Sequence, residues 1–307
     1  MSSAKRFSIY PFTLVHTGGT LNLAQVQGFN VAPQPNVKRV FVGGAIDPKA
    51  HILVTADAQI PFQTRDLATL LGAVSPLTGT SINGGSATFR LQERDDAESV
   101  FLSTATHETY SATRGHVCIE SIGASQDDQD GAVAQLRLYA LYDGTNLPIV
   151  HTTAVDFAGA PSPAFTSEFW LGPVYHNGVE VEGILSTSVQ FNTLFSPFRT
   201  SGNVYARQGY IARRSPMIQL TTLKCDTDAA VSHFLRAASG ALAVYYWKGV
   251  DAGDRVAVGS SVHVKITAAT SAFSDDSVTV SENDDGTTTI TILPVGTLAY
   301  SVTSTIP

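Results

Sequence analysis

Eight histidines, two cysteines and one short acidic run are the residues of this 307-residue chain whose types could do chemistry. Of the histidines only His107 stands next to a carboxylate, Glu108. A hydrolase also needs a nucleophile and a group to orient the base. The sequence has no G-x-S-x-G elbow, no H-E-x-x-H, no G-x-G-x-x-G and no G-x-x-x-x-G-K-[ST]. His107 and Glu108 therefore read as an exposed loop pair rather than a general base, and the chain is not expected to be an enzyme. Such motifs would miss enzymes like the glycosidases, whose paired carboxylates have no fixed spacing.

Metal and sugar sites fare no better. Cys118 and Cys225 lie 107 positions apart and belong to no C-x-x-C or Cys/His spacing of the kind that holds zinc. Both read as half-buried packing residues. The run Asp127-Asp128-Gln129-Asp130-Gly131 looks like a calcium loop until its positions are counted. With Gly131 sixth, the first ligand is Gln126 and the twelfth is Arg137, where a glutamate is required. That excludes an EF-hand and leaves a solvated hairpin tip, or a looser surface calcium site, as the readings. No metal and no cofactor are expected. Tyr245, Tyr246 and Trp247 could line a sugar-binding surface, but successive strand residues alternate in direction. Core packing for Tyr246, with exposure of its neighbours, is the expectation.

Charge narrows the partners. The formal net charge is −7, and the only adjacent basic pairs are Lys5-Arg6, Lys38-Arg39 and Arg213-Arg214. Phosphate contacts need clustered Lys and Arg, so a basic nucleic-acid face is not expected. No window approaches the roughly 20 apolar residues of a membrane span, and Ser8, Pro11 and Thr13 interrupt any signal-peptide core after Lys5 and Arg6. The expectation is a soluble protein made in a reducing cytoplasm, with no membrane contact and no structural disulfide.

The elements that would carry any site point to a mainly β protein. Only 15% of residues are charged, against about 25% in typical chains. Two helices are expected, at residues 64–75 and 228–239. Leu67, Leu70, Leu71 and Val74 fall at i, i+3, i+4 and i+7 in the first, and Val231, Phe234, Leu235 and Ala238 do so in the second. Thr64 and Asp226 or Thr227 are the expected caps. Around these helices the sequence matches itself in order. Residues 27–30 answer to 189–192, Asp47-Pro48 to Ser215-Pro216, and residues 116–121 to 277–282, at shifts near 161 to 168. The acidic turns 127–131 and 283–286 also match. The reading is two tandem, homologous β-sandwich or barrel units, 1–157 and 158–307, each with one short helix and a long hairpin, joined at the Pro/Gly/Ala stretch 158–163. Tight turns are expected at Asn83-Gly84, Asp143-Gly144, Asn177-Gly178 and Asp285-Gly286.

One stretch stands apart. From 179 to 192 the even positions are polar and the odd ones apolar, a period of two held for fourteen residues. A single strand of that length would reach roughly 46 Å. Val181, Leu185, Val189 and Phe191 are its expected core, and Glu180, Glu182, Ser186, Ser188 and Gln190 its wet face.

Tandem β units with long hairpins and one flanking helix resemble the tail-tube proteins of long-tailed bacteriophages and the related baseplate hub proteins. The resemblance implies a virion structural protein, made in the host cytoplasm, that assembles with itself as a hexamer or as a trimer with pseudo-sixfold symmetry. Its rings would stack into a tail tube beside other tail proteins, and DNA would pass through the channel without specific binding. On that reading Glu180, Glu182, Ser186, Ser188 and Gln190 line the lumen. The alternatives are another virion structural protein, such as a decoration or tail-tip component, and a two-domain carbohydrate-binding module.

Overall fold

The computed structural model describes residues 7–41, 43, 47–93, 107–126, 131–156, 168–200, 202–223, 240–250, 254–279 and 287–307. The expected helix at 228–239, the turns at 127–130 and 283–286, the stretch 158–163 and Cys225 lie outside the described residues. The chain is mainly β, with antiparallel pairing throughout its sheets.

The first half begins with the hairpin of β1 (Phe7–His16) and β2 (Gly19–Leu23), closed where His16 stands opposite Gly19. β3 (Val26–Gln27), β4 (Ala32–Val40) and β5 (Ala50–Thr64) follow. Next come α1 (Leu67–Ala73), β6 (Thr80–Ser81), β7 (Ser86–Glu93), β8 (His107–Ala112), β9 (Gly115–Ser125), β10 (Val133–Ala140) and β11 (Val150–Val155). One layer has the order β11-β8-β7-β1-β2 and the other β9-β10-β5-β3. Phe12 and Phe89 on the first layer meet Phe62 on the second, each with ring centroids 5.0 Å from it. Leu67, Leu70, Leu71 and Val74 are buried, so the stripe predicted for the helix is its core face. The helix starts later than expected. Asp66 is its N-cap residue, while Thr64 still belongs to β5, where its hydroxyl accepts from the Asp66 N–H and donates to the Gln25 carbonyl.

In the second half, β12 (Phe169–His176) and β13 (Val179–Val181) form a hairpin. Asn177 and Gly178 both take positive φ at its tip, as the shortest hairpin turn requires. β14 (Ile184–Gln190), β15 (Leu194–Phe198), β16 (Gln208–Arg213) and β17 (Met217–Leu223) precede β18 (Gly240–Lys248), β19 (His263–Thr279) and β20 (Thr287–Ser304).

The pairing order of the first half recurs here. β5-β10-β9 is matched by β17-β20-β19, β1-β7 by β12-β18, and β3-β5 by β14-β17. β19 does alone what β8 and β9 do together, pairing with β18 and then running on beside β20, and β20 likewise spans the places of β10 and β11. Register shifts at three points along β19 and β20 let these long strands bend from one layer into the other. The first half therefore splits into two layers, whereas the matching strands of the second half stay in one sheet, with β15 and β16 forming a separate two-stranded sheet.

The register refines the sequence alignment. Ile60 and Ile218 hold the same place, opposite Leu138 and Ile292. Ile122 and Val278 do too, opposite Ala134 and Thr288. The shift is thus 158 on β5 and 156 on β9, so the expected match of 116–121 with 277–282 is displaced by five residues. Bulges and unequal loops consume the difference.

Candidate assembly interface

The two halves share one sheet, and the seam between them is built from β9 and β14. Gln190 stands opposite Ser121, Val189 opposite Ile122 and Ser186 opposite Ser125. The ladder extends past both strand ends, with Phe191 N–H donating to the Glu120 carbonyl at 2.8 Å and Gln126 N–H to that of Leu185 at 2.7 Å. Thr187, Val189 and Phe191 are buried on the core side. The Tyr246 hydroxyl, on β18, donates to the Ile122 carbonyl at 3.0 Å and ties the second half's core to the seam.

A second contact reinforces the first. The β15–β16 hairpin forms an arm that lies over the outer face of β10. Phe195 stacks on Tyr139 with ring centroids 4.5 Å apart and is buried with Leu141 and Ala206. A Cβ at Gly209 would fall 2.1 Å from the Phe195 ring, so only glycine lets that ring cross β16. The arm is pinned by Ala56 N–H donating to Val204 O (3.1 Å), Tyr142 N–H to Ala206 O (2.8 Å), and an Arg199–Asp57 ion pair. Burial beside the arm pushes the Tyr139 phenol up to about 12, against the opposing pull of Arg137. Burial also lowers the His116 pKa, partly offset by its hydrogen bond to the Thr78 carbonyl.

The face of the shared sheet away from the core is polar and nearly uncharged. Gln63, Gln135, Ser121 and Gln190 stand side by side across four strands, and Ser188, Gln219 and Thr291 across three. Arg137 on this face is tied to Glu120 at 2.6 Å.

The residues 179–192 are not one strand. Gly183, at φ +71°, breaks the run, so that β13 pairs with β12 while β14 lies between β17 and β9. The alternation survives the break, which is why the pattern read as continuous. Val181, Val189 and Phe191 are buried and Leu185 is half-buried. Ser186, Ser188 and Gln190 lie half-buried on the polar face, whereas Glu180 and Glu182 are exposed, away from it at the β13 hairpin. The five expected wet-face residues therefore do not form one row.

Three other expectations change. His107 and Glu108 are in β8, not a loop. His107 is buried, its Nδ1 accepting from Glu93 N–H at 3.0 Å, and Glu108 reaches His151 at 2.9 Å. Tyr245 is buried along with Tyr246, under Lys265 and against Tyr175. Cys118 is buried rather than half-buried.

Sequence reasoning missed a signal in the histidines. His263 Nδ1 accepts from Lys248 N–H at 3.1 Å, repeating the His107 arrangement at the 156 shift, and His16 and His176 occupy the same hairpin position. Among the described residues no group of three or more His, Cys, Asp or Glu could hold a metal ion, and no helix is long and apolar enough to cross a membrane. A groove of about 750 Å³ between the arm and β20 includes His116, Arg213 and Arg214 in its lining. No protein-family model matches the chain, and no curated protein sequence matches it significantly.

Proposed function

We propose that this chain is a virion structural protein, two copies of one β unit in tandem, which assembles with itself into rings stacked as the tail tube of a long-tailed bacteriophage. The observation that carries the reading is the repeated pairing order, with the two repeats joined edge to edge in one sheet. A protein built this way carries one subunit contact inside each chain, and three such chains close a ring of six similar contacts if each step turns by about 60°.

The polar face supports the same reading. A wall past which DNA slides must offer few cations to phosphate, and Ser121, Gln135, Ser188, Gln190 and Gln219 are uncharged while Arg137 is already paired. Ser186 and its neighbours on β14 are the lumen residues under this proposal, with Glu180 and Glu182 set apart on their hairpin. The carbohydrate-binding alternative loses its main candidate surface, because Tyr245 and Tyr246 are buried. Negative-stain electron microscopy of the purified protein tests the proposal. Annular particles or tubes with an open channel are expected, and isolated compact particles at every concentration refute it.

A further inference from the structure

We infer that the first half's arm and the second half's outer face bind each other between chains, head to tail, by the contact already made within one chain. The inference rests on the reading of the two halves as equivalent and names the surface through which copies associate.

Inside the chain, Phe195 and Ile211, opposite each other on the β15–β16 arm, cover Tyr139 and Leu141. Each of these four residues has a counterpart fixed by register. Leu138 and Ile292 hold the same place on β10 and β20, so Tyr139 corresponds to Leu293 and Leu141 to Val295. Seven residues before Ile60 and Ile218 stand Leu53 and Ile211, and the residue opposite Leu53 is Val37, the counterpart of Phe195. All four counterparts are large, apolar and exposed: Val37 46%, Leu53 43%, Leu293 42% and Val295 59%. The β4–β5 arm thus carries an uncovered apolar tip, and β20 carries the uncovered patch on which such a tip sits.

The backbone edges show the same complementarity. Residues 121–125 of β9 have their free side closed by β14, whereas residues 277–279 of β19, the counterparts of 121–123, pair among the described residues only with β20. At the far end of the sheet path, β3, the counterpart of β14, pairs among the described residues only with β5. Among the described residues, a strand edge without a ladder partner and exposed apolar residues lie on each side, in the arrangement that the seam satisfies within the chain. One chain cannot use both on itself, since six strands, β20, β17, β14, β9, β10 and β5, lie between β19 and β3 in its sheet. A second copy supplies what each end lacks, which makes the contact heterologous and repeatable.

Two double variants test this, Val37→Asp with Leu53→Asp on the arm and Leu293→Asp with Val295→Asp on the patch. All four side chains are exposed, so folding is spared. Size-exclusion chromatography with light scattering should give the wild type a multiple of the chain mass and each variant the mass of one chain. An equimolar mixture of the variants should shift to twice that mass, since one intact arm and one intact patch remain. A wild type of single-chain mass, a variant keeping the wild-type mass, or a mixture that stays at one chain each overturns the contact. A second readout avoids buried charge: oxidising Leu53→Cys, Leu293→Cys protein should give a disulfide-linked ladder that neither single variant gives, and no ladder refutes the contact. Oligomers that meet these expectations yet never enclose a channel would sink the tube and leave the contact. Tubes still built by both Asp variants would do the reverse.

Discussion

Tyr246→Phe removes one oxygen from the point where the second half's core meets the seam, and its cost can be worked out on both sides of neutrality. The phenol is fully buried and donates to Ile122 O at 3.0 Å. A hydrogen bond of this kind contributes about 1 kcal/mol net. The Ile122 carbonyl remains on the β14 ladder, so no acceptor is orphaned and the loss at pH 7 should stay near about 1 kcal/mol. Tyr246→Ala, which opens a cavity, should cost about 3 to 5 kcal/mol. Burial raises the phenol's pKa above its ordinary 10.0, with the neighbouring Thr187 hydroxyl opposing only in part. A raised folded-state pKa stabilises the fold below the unfolded value, and that stabilisation drains away as pH climbs from 10 towards the folded value. At pH 11 ionisation in the unfolded chain therefore costs the wild type about 1.4 kcal/mol that the Phe variant does not lose. Other titrating groups cancel in the difference. Urea midpoints at pH 7 and pH 11, followed by tryptophan fluorescence at matched m values, should show the wild type ahead at neutrality and the two curves crossing between pH 10 and 11. A gap unchanged with pH would mean the phenol ionises in the folded state, and a loss above about 3 kcal/mol at pH 7 would mean the hydroxyl does more than bridge to Ile122.

Val189→Asp puts a carboxylate at a fully buried site in the seam and should leave the protein insoluble or unfolded, while Glu182→Gln, at an exposed site, should keep the wild-type midpoint and elution volume. Phe195→Ala should cost about 2 kcal/mol, less than a central core aromatic, and limited proteolysis should then cut the arm between β15 and β16 before the body; simultaneous loss of arm and body would show that the arm is not a satellite cluster. Burial pushes the Cys118 thiol up to about 12, so it should resist a thiol reagent at pH 8 in native protein and react after unfolding, with mass spectrometry locating the label. Prompt native labelling of Cys118 would contradict its burial.

What could be read from the sequence was what depends on period and local turn chemistry. Leu67, Leu70, Leu71 and Val74 gave the helix its buried face, and Asn177-Gly178 gave a hairpin. The alternation from 179 to 192 placed Val181, Val189 and Phe191 inside. It could not reveal the break, because a glycine at an apolar position keeps the period while positive φ turns the chain towards a different partner. The expected match of 116–121 with 277–282 lies five residues away from the correspondence that the shared pairing order gives on β9. Strand register is set by pairing across the sheet, and β19 absorbs in bulges what the first half spends on the connection between β8 and β9. His107 deceived for a related reason: its neighbour Glu108 suggested a surface pair, yet alternation sends the two to opposite faces of β8. The arm contact had no sequence signal of its own, since Phe195 differs from Phe198 only in the face it presents.

The seam also imposes an order on biosynthesis. β9 leaves the ribosome well before β14, and until the chain has grown from Ser125 to Ser186 nothing encoded downstream is present to occupy that edge. At about 5–20 residues per second the interval lasts roughly 3 to 12 seconds. During it a nascent first half offers 121–125 to any extended segment nearby, including the same stretch on a neighbouring nascent chain. Slowing translation between β9 and β14 should raise the share of chains lost to co-translational aggregation, and supplying a soluble β14 peptide should lower it.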